Sequence, residues 1–398
     1  KAHYWFRTEV TVPPRFAGKP VVYSVRTGRE GKWDATNPQF LAYVNGKLAH
    51  GLDVNHRRVL LSESSLGGQA FSIALLAYSG SEEGILELDT SISTIDRETE
   101  KLYYDIKVPF EVSLLLNEGD KRRVDILNSL DAAINMLDLR KPFSDDFRQS
   151  VQAACEYLED EFYSKLCGHD DTVAHCVGHT HIDVAWLWTL SQTREKTARS
   201  FSTVLSLMKR YPEYIFMSSQ PQLYEYIKED HPEIYEEIKN RINEGRWEPE
   251  GAMWLEADCN VSSGESLVRQ VLYGTRFFEK EFGVRSRILW LPDVFGYSAA
   301  LPQILKKSGV DYFMTTKISW SEYNKMPYDT FMWKGIDGTE ILTHFITTSH
   351  KKNEGWMSPH MTTYNGNLIP EQVVGAWDRY QQKDINNEVL ISFGYGDG

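Results

Sequence analysis

The amino-acid sequence predicts an α/β fold in three parts: a β-sandwich at 1–118, a helical connector at 119–169 and a mainly parallel sheet or barrel at 170–398. Three patterns support this prediction. Short β-type runs fill the first part, two helical periodicities fill the second, and strand and helix patterns alternate through the third. Such alternation is typical of parallel strands, because each crossover between them needs a connection of helix length.

The first part contains short runs that are rich in β-branched and aromatic residues, among them RTEVTV, PVVYSV and QAFSIALLAYS. Asn45-Gly46 lies between AYV and KLA, and this dipeptide favours a two-residue hairpin turn because both residues tolerate positive φ. Evenly spaced strands with no helix between them predict a sandwich or a jelly roll. We expect this region to pack against the third part rather than to bind a ligand.

The second part changes to a helical period. RVDILNSLDAAINMLDL and DDFRQSVQAACEYLEDEFYSKL repeat apolar residues at intervals of three and four, which predicts two helices. Lys141-Pro142 separates them, and Ser144 is placed to cap the second one. These two helices are the predicted connector.

The third part contains seven strand candidates and five helix candidates. The helices are predicted at 190–210, 221–244, 263–281, 299–308 and 370–382, and the strands are TVAHCVGHT, YIFMSSQ, RWEPEG, RILWLPDVF, VDYFMTT, EILTHF and VLISFGYG. The sequence stops directly after the last strand candidate. We therefore expect the natural protein to continue and this part to lack its C-terminal portion.

The composition narrows the classes of partner. The net charge is -13, so a nucleic acid or an anionic membrane is a poor fit. Aromatic residues make up 13% of the chain, which favours a flat ligand such as a sugar and an aromatic-rich core equally. The four cysteines form no close pair, and no apolar run is long enough to span a bilayer. We predict a cytoplasmic protein.

Polar and charged side chains follow five of the seven predicted strands. In parallel folds the carboxyl ends of the strands meet at one edge, and ligands bind there. We therefore take these residues as site candidates: His179, His181, Asp183, Glu256, Asp258, Asp293, Lys317, Trp320 and Asp397.

His181 and Asp183 are the first candidates for a metal site. In an extended segment residues i and i+2 point the same way, so an imidazole and a carboxylate can share one ion. Zinc accepts both kinds of ligand. The alternative is a core histidine hydrogen-bonded to a neighbouring carboxylate. The strand-end position and the nearby His179 and Trp186 favour the metal.

Two further carboxylates follow predicted strands. Asp293 lies between Pro292, which fixes φ, and Gly296, which permits a tight turn, so its carboxylate is presented as a ligand or a nucleophile. It lies too far ahead of the 299–308 helix to cap it. Asp397 in GYGDG is either a second functional carboxylate or part of an ordinary turn. Retaining glycosidases use two carboxyl groups roughly 5–5.5 Å apart.

Five motifs together resemble those of glycoside hydrolase family 38, the α-mannosidases, and occur in that family's order. They are HTHIDVAWLW, MWLEADCNVSSGESLVRQ, WLPDVFGYSAALPQIL, WKGIDGTEILTHF and FGYGDG, within about 170–398. The likeness is greatest to the cytosolic and vacuolar branch. It implies a seven-stranded α/β barrel, a retaining mechanism and one bound zinc ion.

The resemblance also implies roles for individual residues. His181, Asp183 and Asp293 would bind the zinc ion, Asp293 would also be the nucleophile, and Asp397 is the candidate acid/base. Trp186 would stack on the sugar. The family's fourth metal ligand is a histidine beyond the Gly-Asp motif, which this sequence does not reach.

The remaining candidates receive supporting roles. Lys317 stands where the Golgi and lysosomal branch has an arginine, and that branch has a second aspartate where this sequence has Gly398. We expect Lys317, Glu256 and Asp258 to contact the substrate. His179 and His344 are expected to lie behind the ligands, and His344 is equally well explained as a satisfied core histidine.

The sequence thus predicts a retaining, exo-acting α-mannosidase that removes mannose from oligosaccharides with a zinc ion, or with another divalent ion such as Co2+. We also predict a homo-oligomer. Two alternatives are a zinc-dependent deacetylase or amidohydrolase and a non-catalytic carbohydrate-binding protein. The first would use metal-bound water in place of a carboxylate nucleophile, and the second would bind sugar without turnover.

Overall fold

The computed structural model describes residues 2–29, 38–79, 87–349 and 360–398. Its N-terminal region is antiparallel β structure in two sheets, with strand orders β1-β6-β3-β4 and β5-β2-β7. The strands are β1 Ala2–Thr11, β2 Val21–Arg26, β3 Gln39–Val44, β4 Lys47–Leu52, β5 Arg58–Ser62, β6 Ala70–Ser79 and β7 Asp89–Thr94.

The two N-terminal sheets share one apolar core. Tyr23 and Val25 of β2 lie in the same cluster as Phe40 of β3 and Phe71 of β6. Asn45 and Gly46 have φ of 51° and 80° and join β3 to β4, which confirms the predicted hairpin. The β content of this region is therefore confirmed, and its description as a sandwich stays a prediction.

The prediction that β structure continues to residue 118 is wrong for helix α1, Arg97–Leu115. The Asp96 side chain accepts a hydrogen bond from the Thr99 amide at 3.1 Å and caps the helix. The helix contains aromatic and β-branched residues as well as Pro109, which hide its period. Its stability comes from tertiary packing, because Leu102 joins a core shared with the helices that follow.

Both predicted connector helices are present. They are α2, Lys121–Asn135, and α3, Asp145–Tyr157, which continues into a π-helical turn at Leu158–Tyr163 and the short α4, Ser164–Leu166. The Ser144 hydroxyl accepts from the Phe147 amide at 3.3 Å, as the sequence predicts. The role of this segment as a connector, and the three domain boundaries, stay predictions.

All seven strands predicted after residue 170 are present. They are β8 Val173–His179, β9 Phe216–Ser218, β10 Trp247–Pro249, β11 Ile288–Trp290, β12 Tyr312–Thr315, β14 Glu340–Phe345 and β15 Glu388–Phe393. The chain adds β13, Thr330–Lys334, which pairs with β14 antiparallel. The other pairs in this region are parallel. The mixed α/β class with mainly parallel strands is thus confirmed.

The predicted seven-stranded closed barrel is not found among the described residues. The strands form two four-stranded sheets, β10-β9-β8-β15 and β11-β12-β14-β13, linked by isolated parallel bridges of Gly251 with Leu289 and of Cys259 with Tyr297. Closure would require β14 to pair with β15, but β14 already has β12 on one side and β13 on the other. An antiparallel edge strand thus occupies the position that closure needs.

Helices cover the parallel strands close to the predicted positions. They are α5 Leu190–Arg210, α6 Pro221–Asp230, α7 Pro232–Asn243, α8 Gly264–Phe282, α9 Leu301–Lys307 and α10 Pro370–Arg379. The predicted 221–244 helix is divided at His231, because Pro232 removes a backbone donor and starts a new helix. Within the described ranges, no helix is long and apolar enough to cross a membrane.

The sheets are fixed by large buried aromatic side chains. Trp247 of β10 packs against Phe201 of α5 and Phe216 of β9, with ring centroids 5.0 and 4.7 Å apart. The Trp247 indole N–H donates to the Tyr224 hydroxyl at 2.8 Å. This core holds the carboxyl ends of the strands in place, and the loops that follow these ends carry the polar residues described below.

His50 gives a testable consequence of this packing. Its ring lies buried between β4 and α5, and burial, followed by the charge of His56, lowers its pKa from 6.5 to about 4. The folded protein therefore binds fewer protons than the unfolded chain between these two pH values. We expect the stabilising contribution of His50 to be complete above pH 6.5 and to be lost as the pH falls toward 4.

The measurement is urea unfolding of the parent and of His50→Gln at pH 7 and pH 4.5. The difference in unfolding free energy between them should shrink by about 2–3 kcal/mol at the lower pH. His169→Gln, at an exposed position, is the control and should leave the difference from the parent independent of pH. A His50→Gln difference that does not change with pH would contradict the prediction.

Candidate active site

The segment after β8 places two histidines in different environments. His179 is fully engaged by the protein, since its Nδ1 lies 3.0 Å from the Met217 carbonyl oxygen and its Nε2 accepts from the Trp290 indole N–H at 3.2 Å. Burial lowers the pKa of His179 to about 4, which keeps the ring neutral. With both nitrogens used, His179 supports the strand end and has no free nitrogen for a ligand.

His181, two residues on, lies among three carboxylates. Its Nε2 is 3.3 Å from Asp183 Oδ1 and 3.5 Å from Asp293 Oδ2, and its Nδ1 is 2.7 Å from Glu256 Oε2. The imidazole is only 5% exposed. Burial alone would lower the pKa of His181, but the charges of Glu256 and Asp183 outweigh it and raise the pKa well above 6.5.

Glu256 lies behind His181 rather than on the open side of the site. It follows β10, its carboxylate is 3% exposed, and its Oε1 accepts from the Ser219 hydroxyl at 2.8 Å. Gln220 accepts from the Glu256 amide at 3.4 Å and donates to the Ile182 carbonyl at 3.0 Å, which ties this loop to the segment after β8. The position of Glu256 suits orienting the imidazole, and its predicted contact with a substrate stays a prediction.

Asp293 and Lys317 form an ion pair at the ends of β11 and β12. Lys317 Nζ lies 2.7 Å from Asp293 Oδ1 and 3.6 Å from the ring centroid of Trp320. The Thr316 hydroxyl donates to the Pro292 carbonyl at 2.7 Å and joins the two loops. At Gly296 an added Cβ would lie 2.3 Å from Asn260 Nδ2, so a larger residue here would displace the Asn260 side chain.

His181, Asp183 and Asp293 offer three ligand atoms that all lie within 4.8 Å of one another. The set is one imidazole nitrogen and two carboxylate oxygens, which suits Zn2+ and several other divalent ions. The second nitrogen of the imidazole faces a buried carboxylate, the usual partner of a metal-bound histidine. The donors present therefore fit a divalent metal ion.

Asp397 lies beside this cluster in the loop after β15. Its amide donates to the His181 carbonyl at 2.7 Å, and its own carbonyl accepts from Lys196 Nζ at 2.8 Å. At Gly394 a Cβ would lie 2.3 Å from the His179 carbonyl oxygen, so only glycine lets the two segments touch. Burial, followed by the nearby charges of Asp183 and Asp293, raises the pKa of Asp397 despite His181 and Lys196.

Exposed aromatic side chains follow β8 and β11. Trp186 is 56% exposed and packs edge-on against Trp188, whose indole N–H donates to the Asp183 carbonyl at 3.1 Å. Phe295, two residues after Asp293, is also exposed, and Lys317 Nζ lies 5.1 Å from its ring centroid. Trp186 and Phe295 thus present apolar rings to solvent in the loops that carry Asp183 and Asp293.

Two predicted site residues lie in other environments. The Asp258 side chain is exposed and accepts from the amides of Asn260 and Val261 at 2.8 and 2.7 Å, so it holds its own turn. His344 lies 2.9 Å from the Thr330 hydroxyl of β13. The His344 ring also lies 6.4 Å from the Tyr380 ring, between centroids, so these contacts of Asp258 and His344 are with groups outside the His181 cluster.

Tyr364 is a member of the site that sequence reasoning missed. It is buried, and its ring meets the His181 ring edge-on with centroids 5.5 Å apart. Burial, followed by the charges of Asp293 and Asp397, raises its pKa well above 10. It comes from 360–366, which has no strand or helix period, so the only available signal was one aromatic residue in a polar loop.

The comparisons with known proteins agree with this geometry. Residues 171–398 match the model of the glycosyl hydrolases family 38 N-terminal domain. The whole chain is 33% identical to "Alpha-mannosidase G" of Dictyostelium discoideum, and 99% of it is 31% identical to "Alpha-mannosidase 2C1" of Homo sapiens. Over 64% of the chain, the identity to "Alpha-mannosidase" of Saccharomyces cerevisiae is 40%.

The matched region spans 36% of the Dictyostelium protein, 37% of the human protein and 24% of the yeast protein. The chain therefore spans little more than a third of the length of these relatives at most. The family match itself spans more than half of the chain and includes His181, Asp183, Asp293, Lys317 and Asp397. The predicted resemblance is thus confirmed, and the chain belongs to glycosyl hydrolase family 38.

Proposed function

We propose that the protein is a retaining, exo-acting α-mannosidase that hydrolyses α-linked mannose from oligosaccharides such as N-glycans. The observation that carries the proposal is the group formed by Asp293, His181, Asp183 and Lys317 at the carboxyl ends of parallel strands. The family and the printed names of the relatives support the same activity. Neither the deacetylase nor the binding-protein alternative is favoured by these findings.

We propose that His181, Asp183 and Asp293 hold a zinc ion, with Co2+ as the alternative metal. When bound, the metal would supply a positive charge for the hydroxyls of the terminal sugar and so favour distortion of its ring. Glu256 would fix the orientation of His181 through Nδ1. The three donors are close enough for one ion, and their like-charged carboxylates need a cation between them.

Asp293 is the proposed nucleophile. Its carboxylate would attack the anomeric carbon and form a covalent glycosyl-enzyme, from which water would later release mannose with its configuration retained. Lys317 would hold the carboxylate in the attacking position, since its ammonium lies 2.7 Å from Oδ1 and is itself packed on Trp320. Tyr364 and His181 exclude water from the other side.

Asp397 is the proposed acid/base. In the first step its carboxyl group would donate a proton to the leaving oxygen, and in the second it would accept a proton from the attacking water. A pKa raised by burial suits a group that must carry a proton before the first step. Trp186 is the proposed stacking surface for the sugar, because its ring is exposed next to Asp183.

The remaining predictions keep their status. A mannose-containing oligosaccharide is the proposed substrate, and neither a nucleic acid nor a membrane is a proposed partner, in line with the net charge of -13. The homo-oligomer and the cytoplasmic location are proposals too. The contact of Asp258 with substrate is the weakest of the proposed roles, because its carboxylate is used in its own turn.

The first test replaces the proposed nucleophile in the full-length protein. We expect Asp293→Asn to lower the turnover of 4-nitrophenyl α-mannoside by about 10³-fold or more, because a neutral amide cannot form the glycosyl-enzyme. Asp311→Asn, at the opposite end of the neighbouring strand β12, is the matched control and should retain the parent rate. The parent should also release α-mannose first, as seen by proton NMR.

A trapping experiment completes this test. A 5-fluoro mannosyl fluoride should inactivate the parent, and mass spectrometry should find the sugar on the peptide that contains Asp293. Release of β-mannose as the first product would rule out the retaining mechanism. Turnover by both the parent and Asp293→Asn, with no trapped adduct in either, would rule it out as well. A parent with no turnover after metal loading would rule out the proposed activity.

The second test concerns the metal and Glu256. We expect a chelator to abolish turnover of 4-nitrophenyl α-mannoside and added Zn2+ or Co2+ to restore it. Glu256→Gln should weaken metal binding by about 10–100-fold, because the amide no longer orients His181 as the carboxylate does. Metal affinity is measured by competition with a chromophoric chelator, which does not depend on turnover.

Glu248→Gln is the control for this test, since Glu248 lies on β10 itself and away from His181. It should bind metal as tightly as the parent. Equal affinities in the parent and in Glu256→Gln would show that Glu256 does not act through the metal site, and turnover that survives full metal removal would exclude a metal-dependent reaction.

A further inference from the structure

We infer that the turn 53–56 of the N-terminal β region positions the loop 394–398, and that His56 acts on the reaction through Tyr395. This inference rests on the proposed function, because it assigns a role in catalysis to a contact between two regions of the chain. The turn is the segment between β4 and β5, and the loop follows β15 and carries Asp397.

The turn is rigid by its own hydrogen bonds. Asp53 Oδ1 accepts from the amides of Asn55 and His56 at 2.7 and 2.6 Å, and the Asp53 amide donates to the His56 carbonyl at 3.0 Å. The Asp53 carboxylate also lies 3.1 Å from His56 Nδ1. These contacts leave the His56 ring one orientation.

That orientation directs His56 at the loop. The His56 and Tyr395 rings meet edge-on, with centroids 5.4 Å apart and planes at 81°. Tyr395 lies between two glycines whose backbones are in close contact with other segments: Gly394 with the His179 carbonyl and Gly396 with the Asn365 side chain. Tyr395 is thus the one side chain of residues 394–396 through which another part of the protein can hold the loop.

The loop is also held at its backbone, where the Gly394 amide donates to the Gly366 carbonyl at 3.0 Å and Lys196 Nζ lies 3.4 Å from the Gly398 carbonyl oxygen. The Thr180 hydroxyl donates to the Tyr395 carbonyl at 2.5 Å, the Asp397 amide donates to the His181 carbonyl, and Lys196 binds the Asp397 carbonyl. All of these contacts hold backbone atoms of the loop. The direction of the Asp397 carboxylate therefore depends on the backbone path of the loop, which has φ of 131° at Gly394 and 69° at Asp397.

Helix α5 joins the turn to the same frame. A Cβ at Gly51 would lie 2.7 Å from the Arg199 Cβ, so β4 packs directly on the helix. The Gly51 amide donates to the Thr203 hydroxyl at 3.2 Å. Lys196, on the same helix, binds the Asp397 carbonyl. The N-terminal region and the loop thus both contact helix α5. The ring contact of His56 with Tyr395 joins these two segments to each other directly.

The test uses the full-length, metal-loaded protein and two substrates that differ in their need for an acid. Phenyl α-mannoside needs its leaving oxygen protonated, whereas 2,4-dinitrophenyl α-mannoside leaves as a stable anion. If His56 positions the acid, His56→Ala should lower kcat/KM about tenfold for the phenyl substrate and less than about twofold for the dinitrophenyl substrate. His56→Phe, which keeps a ring opposite Tyr395, should recover most of the loss.

A double-mutant cycle tests whether the effect passes through Tyr395. His56→Ala should cause no further loss with the phenyl substrate in a Tyr395→Ala background, because the contact is already absent. His3→Ala is the matched control: His3 Nε2 contacts Glu195 of α5 at 2.6 Å, so it breaks another contact between the same regions without touching the loop. It should change neither substrate's kcat/KM by more than about twofold.

The outcomes separate this inference from the proposed function. A parent without α-mannosidase turnover would overturn both. An active parent would overturn only this inference if His56→Ala lost the same factor on both substrates, if it lost nothing on either, or if its loss persisted in the Tyr395→Ala background. Where His56→Ala does not fold, His56→Gln provides the same comparison, since it keeps a polar group for Asp53 but removes the ring.

Discussion

The structure of the site depends on the placement of one buried imidazole among carboxylates. His181 has Glu256 on Nδ1 and both Asp183 and Asp293 on the side of Nε2, and its own ring is only 5% exposed. Carboxylates repel one another at such distances, so they remain together only if a positive charge lies between them. The imidazole, Lys317 and a bound cation are the groups that can provide that charge.

The parallel strands explain how three separated carboxylates reach one imidazole. Asp183, Glu256 and Asp293 belong to loops after β8, β10 and β11, and these strands are held in order by the core around Trp247 and by the bridge at Gly251. Neighbouring loops are then joined by hydrogen bonds, from Gln220 to Ile182 and from Thr316 to Pro292. Regular structure sets the approximate positions, and side-chain hydrogen bonds to backbone set the final ones.

Much of this arrangement follows from sequence. Strand ends are local features, so the seven parallel strands and the cluster of His181, Asp183 and Asp293 could be predicted from pattern and position. The orientations of the His179 and Glu256 side chains could not be predicted, because they depend on partners from other strands. His179 contacts Met217 and Trp290, and Glu256 contacts His181. Tyr364 was missed for the same reason.

The errors in the predicted fold have a similar cause. Helix α1 is held by packing against α2 and α3, which no local period reveals, and it contains Pro109, a residue that is unfavourable inside a helix. The extra strand β13 follows a stretch without a strong pattern, yet it takes the edge of β14 that a closed barrel would need. Sequence patterns describe each strand, whereas closure depends on which strands compete for the same edge.

If His181 binds a metal ion as proposed, the ion would take the place of a proton on Nε2. Burial alone would lower the pKa of the imidazole, but the charges of Glu256 and Asp183 raise it well above 6.5 and so favour its protonated form. A metal-bound imidazole is neutral, and a divalent ion brings two charges in exchange for that proton. The exchange adds one positive charge next to Asp293, the group proposed to attack the sugar. The carboxylates that favour a proton on His181 are therefore the same groups that would favour a divalent cation in its place.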